Sequence, residues 1–229
     1  MDTTAMTIVG LNGSPRGAES RTRRLVQAVL DGAKERGAQT SLIDVCDLDI
    51  EYCTGCSVCY ATGECIHDDD FGWVFDTMLD ADGIVMGSPN YINGPTAQIK
   101  ALIDRMADAI HCQQFTGKYG CAVATAGGSQ ADRVAAYLNE VLTILGATSV
   151  GAVDAVLGSD ASSLPAAELQ AHALGARLAD AIITKEVIPE QDAIHRAMRE
   201  RMQWLVRAHK DDWAHQYEVW EQKGWDALP

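Results

Sequence analysis

Four cysteines lie within 13 residues, Cys53-Thr54-Gly55-Cys56-Ser57-Val58-Cys59-Tyr60-Ala61-Thr62-Gly63-Glu64-Cys65, in the spacing C-x2-C-x2-C-x5-C. Thiolates so close together can ligate a [4Fe–4S] cluster, which sulfur donors hold in compact runs of this kind. A tetrahedral zinc site uses the same donors, although zinc ribbons more often set two C-x2-C pairs far apart. Bare thiols or a disulfide form a third reading, and the residues alone leave all three open. Cys46, Cys112 and Cys121 stand apart and read as ordinary core or surface thiols. His67 reads as a loop histidine and not as a ligand, and Asp68-Asp69-Asp70 as the acidic start of a helix, where negative charge suits the dipole.

Three other segments have the makings of one ligand site. Asn12-Gly13-Ser14-Pro15-Arg16-Gly17-Ala18-Glu19-Ser20-Arg21-Thr22 combines small residues, hydroxyls and arginines just before a helical pattern. Backbone N–H groups at a helix N-terminus point outward and the dipole favours an anion, so a phosphate fits there, with Ser14, Ser20 and Thr22 adding donors and Arg16 or Arg21 adding charge. A plain turn with a serine N-cap is the alternative. The loop is no Walker motif, lacking Gly-Lys-Ser/Thr, and does not spell Gly-x-Gly-x-x-Gly. Gly87-Ser88-Pro89-Asn90-Tyr91-Ile92-Asn93-Gly94-Pro95 is stiffened by two prolines and exposes a tyrosine that can hold a flat ring. Thr125-Ala126-Gly127-Gly128-Ser129 allows close backbone approach through its glycines.

The elements that must carry these segments follow from apolar patterning. Strands are expected at residues 6–11, 40–45, 83–87, 119–125 and 149–156. Helices are expected from Ser20 towards the stop at Gly37, and over 71–79, 98–110, 131–145 and 166–183. Five alternations with short connections predict an α/β fold, a doubly wound five-stranded parallel sheet covered on both faces. In such sheets ligands bind beyond the carboxyl ends of the strands, near the switch in strand order, which is where the loops after strands one, three and four fall. No internal repeat or low-complexity segment interrupts the pattern.

The chain has 229 residues, 47% of them hydrophobic, enough for a full core and longer than one minimal domain requires. A domain over 1–184, with a cysteine-rich loop at 46–70, and an appendage over 185–229 are expected. A formal charge of −14 argues against general attraction to nucleic acid or anionic membrane. No run approaches the roughly 20 apolar residues of a bilayer span, and the start lacks a basic segment leading into an apolar signal core. A cytoplasmic protein with reduced cysteines is the expectation.

Gly13-Ser14-Pro15-Arg16, together with Ser88-Pro89-Asn90-Tyr91 running through Thr96-Ala97-Gln98-Ile99-Lys100 to Asp104-Arg105, resembles the paired signatures of the NAD(P)H-dependent FMN reductase family, over roughly residues 6 to 183. The resemblance implies a flavodoxin-like fold, with the FMN phosphate on Ser14, Arg16, Ser20, Arg21 and Thr22. It implies the isoalloxazine ring against Pro89, Asn90, Tyr91, Ile92 and Asn93 on one side and Thr125, Ala126, Gly127, Gly128 and Ser129 on the other. It makes Asp104-Arg105 a structural, dimer-side ion pair. The spacing of Cys53, Cys56, Cys59 and Cys65 is similar to the compact motif of the iron–sulfur flavoproteins, a branch of the same family, and its position after the second strand matches.

Beyond Pro189 the sequence leaves the minimal domain. Trp204, Trp213, Trp220 and Trp225 lie there, and Ile194, Met198, Met202, Leu205, Trp213, Tyr217 and Trp220 form an apolar stripe between a helix start at Pro189 and a stop at Gly224. Packing on the chain's own body and burial against a second subunit both account for the stripe; association into a homo-dimer or homo-tetramer is the expectation carried forward. The resulting functional expectation is an oxidoreductase that passes electrons from NAD(P)H through FMN to a small-molecule acceptor such as a quinone, free flavin, nitro or azo compound. No side chain stands out as a required acid or base. An iron–sulfur electron carrier fed by ferredoxin, and a non-catalytic redox sensor, are the alternatives.

Overall fold

In the computed structural model, residues 5–159 and 161–225 are described; the outermost residues of the two expected segments, 1–4 and 226–229, lie outside them. Five strands, β1 (Thr7–Asn12), β2 (Gln39–Asp44), β3 (Gly83–Pro89), β4 (Tyr119–Ala126) and β5 (Thr148–Val156), form one parallel sheet in the order β2-β1-β3-β4-β5. That is the flavodoxin-like order, and it puts the switch point between β1 and β3.

Alternation along the strands sends successive side chains to opposite faces. Val9, Leu11, Ile84, Met86, Ala122 and Ala124 join one core with α3 (Phe71–Asp80), α4 (Ala97–Asp104) and α6 (Ala131–Leu145). Ile8, Val85, Cys121 and Val123 join the other with α1 (Arg21–Lys34) and α7 (Leu164–Thr184). Both faces are therefore covered, and the sheet is doubly wound as expected. α1 and α7 approach so closely that a Cβ on Gly32 would overlap the His172 carbonyl, and one on Gly175 the Val29 carbonyl. Glycine at both positions is what permits the contact.

Two expected helices are broken. The segment 98–110 divides into α4 and α5 (Ala107–Cys112), with a tighter turn at Arg105–Met106 that turns Arg105 inward. The tail divides into α8 (Pro189–Ala208) and α9 (Ala214–Lys223) at the polar run Lys210-Asp211-Asp212, which lets α9 fold back. A short helix, α2 (Val58–Thr62), falls inside the cysteine segment, where none was expected. The helix starts at Ser20, whose hydroxyl caps Arg23 N–H, and at Pro189, and the stop at Gly224, stand where the sequence puts them.

The stripe of the tail is covered by the chain itself. Met202, Val206 and Trp220 are buried, with Met198, Leu205, Trp213, Tyr217 and Ile110 packed around them. Trp220 Nε1 donates to the His111 carbonyl at 2.9 Å, and Lys223 Nζ to the Cys112 carbonyl at 2.6 Å. Ile194 and Trp204 of α8 remain exposed. No helix among the described residues is long and apolar enough to cross a membrane.

Candidate functional site

The loops after β1, β3 and β4 meet in a cleft of about 260 Å³ at the carboxyl end of the sheet. Its wall contains Ser14, Arg16, Ser20, Arg21 and Thr22 from the first loop, Pro89, Asn90 and Tyr91 from the second, and Thr125, Ala126 and Gly127 from the third. Cross-braces fix the three loops to each other. Gly13 N–H donates to the Gly87 carbonyl at 2.8 Å and Asn90 N–H to the Thr125 carbonyl at 2.7 Å. Asn90 Nδ2 donates to the Ser129 carbonyl at 2.8 Å, Thr22 and Thr125 share a hydrogen bond of 2.7 Å, and the buried Thr96 hydroxyl donates to the Gly13 carbonyl.

Within the first loop the oxygens of Ser14 and Ser20 accept N–H groups of Arg16 and Arg23. Each hydroxyl therefore keeps its own hydrogen to donate. The arginines sort themselves. Arg23 is paired with Asp44 and Arg24 with Glu168, whereas Arg16 and Arg21 make no ion pair among the described residues. Two donating hydroxyls, two unpaired guanidinium groups and a helix N-terminus form a site for an anion. Asn90 Oδ1 is buried with no partner, an acceptor left over in the same cleft.

Four residues expected at this ligand are not among those lining the cleft. Ile92 and Asn93 form the tip of a tight turn closed by the Tyr91–Gly94 bridge, both at positive φ (51° and 63°), and Ile92 is fully exposed. A two-residue turn of this kind needs positive φ at both central positions. Gly128 and Ser129 lie beyond the wall, although the Ser129 carbonyl holds Asn90. Leu157 and Gly158, after β5, line the cleft and were not foreseen; the rule about carboxyl ends of strands would have included them.

The cysteines line a separate cavity of about 130 Å³, which shares no residue with the cleft. Left-handed conformations at Gly55, Ser57 and Gly63 curl the loop so that Cys53, Cys56, Cys59 and Cys65 all face it. Cys53 and Cys56 are exposed at the rim and Cys59 and Cys65 half-buried; all four are free thiols. Tyr60, Phe71 and Phe75 supply apolar wall, and His67, Arg105 and Asp108 polar wall. Burial, with Asp108 and the other cysteines nearby, pushes the Cys59 thiol up to about 11. Hydrogen bonds from Val58 N–H and the Thr54 side chain hold Cys56 below the usual range. Cys46, Cys112 and Cys121 are all raised, chiefly by burial, and stay outside the cavity wall.

The acidic run does more than open α3. Asp70 Oδ2 accepts Asp49 N–H at 2.8 Å and Asp69 Oδ2 accepts Glu51 N–H at 2.9 Å, tying the start of the cysteine loop to its end. Arg105 does not pair with Asp104, which is bound to Lys100; it turns inward to Asp69, its side chain 1% exposed and its guanidinium 4.3 Å over the Phe71 ring. Burial works against the Asp69 carboxylate, yet hydrogen bonds from Arg105, Glu51 and Phe71 outweigh it and hold the carboxyl below its ordinary value.

The tail packs behind the wall residues Gly63, Tyr60 and Asp108. Gly63 lies flat against the His215 ring, where a Cβ would collide, and Tyr60 is held between His111 and Trp213 at centroid distances of 4.7 and 5.0 Å. Gln216 Nε2 donates to Asp108 Oδ1 at 2.9 Å and Gln114 Nε2 to Oδ2 at 3.2 Å. Asp108, Cys112 and His215 are the one trio among the described residues whose ligand atoms gather within 4.8 Å.

The family model of NADPH-dependent FMN reductases matches residues 6–162. A protein named iron–sulfur flavoprotein from Archaeoglobus fulgidus is 30% identical over 227 residues, 96% of this chain and 99% of that protein. An iron–sulfur flavoprotein of Methanocaldococcus jannaschii is 39% identical over 119 residues, 52% of this chain and 61% of its own length. Among solved structures, a WrbA-like flavodoxin from Agrobacterium tumefaciens superposes over 80% of this chain and 100% of that one, with a TM-score of 0.53 and 23% identity, a likeness of fold.

Proposed function

The chain belongs to the NADPH-dependent FMN reductase family of flavin-dependent oxidoreductases, and from that premise we propose that it holds FMN in the cleft and a [4Fe–4S] cluster in the cysteine cavity, passing electrons from NAD(P)H to a small acceptor. The observation that carries the FMN half is the cross-braced cleft itself. Ser14 and Ser20 hydroxyls and the Arg16 and Arg21 guanidinium groups take the phosphate at the start of α1, where the helix N-terminus favours an anion. Pro89, Asn90 and Tyr91, with Thr125, Ala126 and Gly127 on the adjoining strand end, supply the wall for the flat ring, and the unpartnered Asn90 Oδ1 accepts from a ring N–H. FMN supplies hydride and single-electron chemistry when bound; the protein orients it and keeps its faces distinct.

The second half is supported by four thiols on one cavity and by the iron–sulfur flavoprotein name of a relative that matches along its whole length. Cys53, Cys56, Cys59 and Cys65 are the ligands. Their electron-rich group sits partly open at the rim formed by Cys53 and Cys56. That openness favours a second reading of the same site, a one-electron carrier reduced by ferredoxin with no need of nicotinamide.

Anaerobic purification followed by an absorption spectrum and iron analysis tests both cofactors, with flavin bands and a broad cluster absorbance expected together. Steady-state NADPH consumption then separates the two donors: turnover with FMN-loaded protein supports the reductase, and its absence alongside reduction by ferredoxin supports the carrier. A protein purified anaerobically and offered FMN that shows neither flavin retention nor iron refutes the proposal.

A further inference from the structure

The cysteine cavity contains buried nitrogens that no protein oxygen satisfies, and the Cys65 thiol is the one group of the wall that leans on Arg105. Arg105 spends Nη1 on Asp69 and on the Glu51 carbonyl, at 3.3 Å for the latter. Its Nε and Nη2 are buried and have no hydrogen-bond partner, and the same is true of Nε2 of His67, a second residue of the same wall. Buried donors are nearly always satisfied in folded proteins, so several orphans around one cavity ask for an acceptor. The ion pair alone does not explain an arginine here, because one nitrogen serves Asp69 and a lysine has that one to offer. The stacking on Phe71 fixes the guanidinium plane, and among the polar groups of the cavity wall, which include the Asp104 and Asp108 carboxylates as well as four sulfurs, Cys65 is the one that favours the charged guanidinium.

We propose that Arg105 tunes the cofactor of this cavity: its uncommitted N–H groups donate to sulfur of an iron–sulfur cluster held by Cys53, Cys56, Cys59 and Cys65, and its charge raises the reduction potential of that cluster. This rests on reading the four cysteines as cluster ligands and assigns a role to a residue outside that ligand set. Reduction adds one electron, and a neighbouring cation with N–H···S hydrogen bonds stabilises the more negative state. Asp69 lies outside the cavity wall, held by the N–H groups of Glu51 and Phe71 as well as by Arg105. Removing its charge acts on the cluster with the opposite sign, while breaking the same ion pair.

The experiment uses anaerobically prepared full-length protein. Iron and acid-labile sulfide are measured first on the unaltered chain, where about four of each are expected for a [4Fe–4S] cluster. Their absence overturns the ligand reading, and this inference with it, before any variant is made. With the cluster present, a potentiometric titration followed by electron paramagnetic resonance compares Arg105→Gln, Arg105→Lys and Asp69→Asn. The midpoint should shift to more negative potential in Arg105→Gln, by less in Arg105→Lys, and to more positive potential in Asp69→Asn, with the flavin spectrum unchanged in all three. An unshifted Arg105→Gln overturns the proposal. So does a negative shift in Asp69→Asn, because loss of the ion pair would then be the cause. Should Arg105→Gln lose its iron, Arg105→Lys decides: a midpoint equal to that of the unaltered chain excludes the N–H donors, and a negative shift sustains them.

Discussion

Arg16 and Arg21 differ from Arg23 and Arg24 in having no carboxylate of their own, and that difference sorts the four arginines of the first loop and helix by task. Arg23 and Arg24 fasten α1 to β2 and α7; Arg16 and Arg21 face the cleft. Replacing Ser14 and Arg16 together by alanine should weaken FMN binding about 10- to 100-fold, the worth of one lost charge-assisted hydrogen bond or slightly more. Fluorescence quenching of free FMN measures this, and unchanged affinity would remove the phosphate from the loop. The sequence discloses these residues because anion binding at a helix start is a local property, readable from hydroxyls and arginines ahead of a helical pattern. Arg105 was not legible as a cavity residue. Its neighbour Asp104 offered an easy partner in sequence, and only the break between α4 and α5 shows the side chain turning to Asp69 instead. Ile92 and Asn93, which the resemblance sets against the ring, form the tip of a positive-φ turn beside the cleft wall, a local backbone feature that the residue types did not announce.

At the scale of elements, the contact between α1 and α7 and the docking of the tail are the two joints most exposed to substitution. Gly175→Ala drives a methyl group against the Val29 carbonyl, a backbone atom that cannot rotate aside. A loss of about 1–3 kcal/mol or more is expected from overpacking of this kind. Gly72→Ala, in the first turn of α3 with open space around it, should be stabilising by a few tenths to about 1 kcal/mol. Urea unfolding of the pair measures both, and equal effects would mean that the helices do not meet as described. The tail joint should respond to pH. Burial lowers the pKa of His111, despite the Gln216 and Asp108 contacts that favour its charge and with His209 opposing it. Burial likewise lowers that of His195, which faces Ala147 and Thr143 and lies near Arg199 and Asp192. A histidine depressed in the folded state takes its proton first in the unfolded chain. The stability at stake is therefore fully present above about pH 6.5 and is lost as pH falls from there through the folded-state values. Asp108, raised by burial, works in the opposite direction, lower down in the carboxylate range. The thermal midpoint, followed by tryptophan emission because four of the five tryptophans lie beyond residue 200, should fall between about pH 7 and pH 5. It should fall less steeply in His195→Gln. A flat profile would show that these histidines are not buried in solution.

The whole molecule keeps two sites apart. The cleft uses the carboxyl edge of the sheet, whereas the cysteine cavity is built from the cysteine loop with α2, the start of α3 and the α4–α5 junction, the tail packing behind it, with α4, about 12 Å long, running from the second loop of the cleft towards the cysteine cavity. The alternation of strands and helices made the first arrangement legible in sequence. The second was hidden, because the residues that complete it, His111, Trp213 and His215, meet the cysteine loop only through tertiary packing. Truncation after Lys185 separates the sites functionally. It removes His215 from Gly63, Trp213 from Tyr60 and Gln216 from Asp108, and takes nothing from the cleft. The truncated chain should therefore keep its FMN and lose most of its iron. The same cut tests association. The stripe expected to seek a second subunit is spent on α5, so an apolar subunit contact through α8 must use what that helix leaves outside, Ile194 and Trp204. Light scattering of full-length Trp204→Ala, in which the stripe stays buried, should show a smaller assembly if α8 carries the contact; an unchanged subunit count moves the interface to another face. Iron retained after truncation would mean that the cysteine loop folds around its cofactor without the tail. The ring stack of Tyr60, His111 and Trp213 would then be a consequence of docking and not part of the housing.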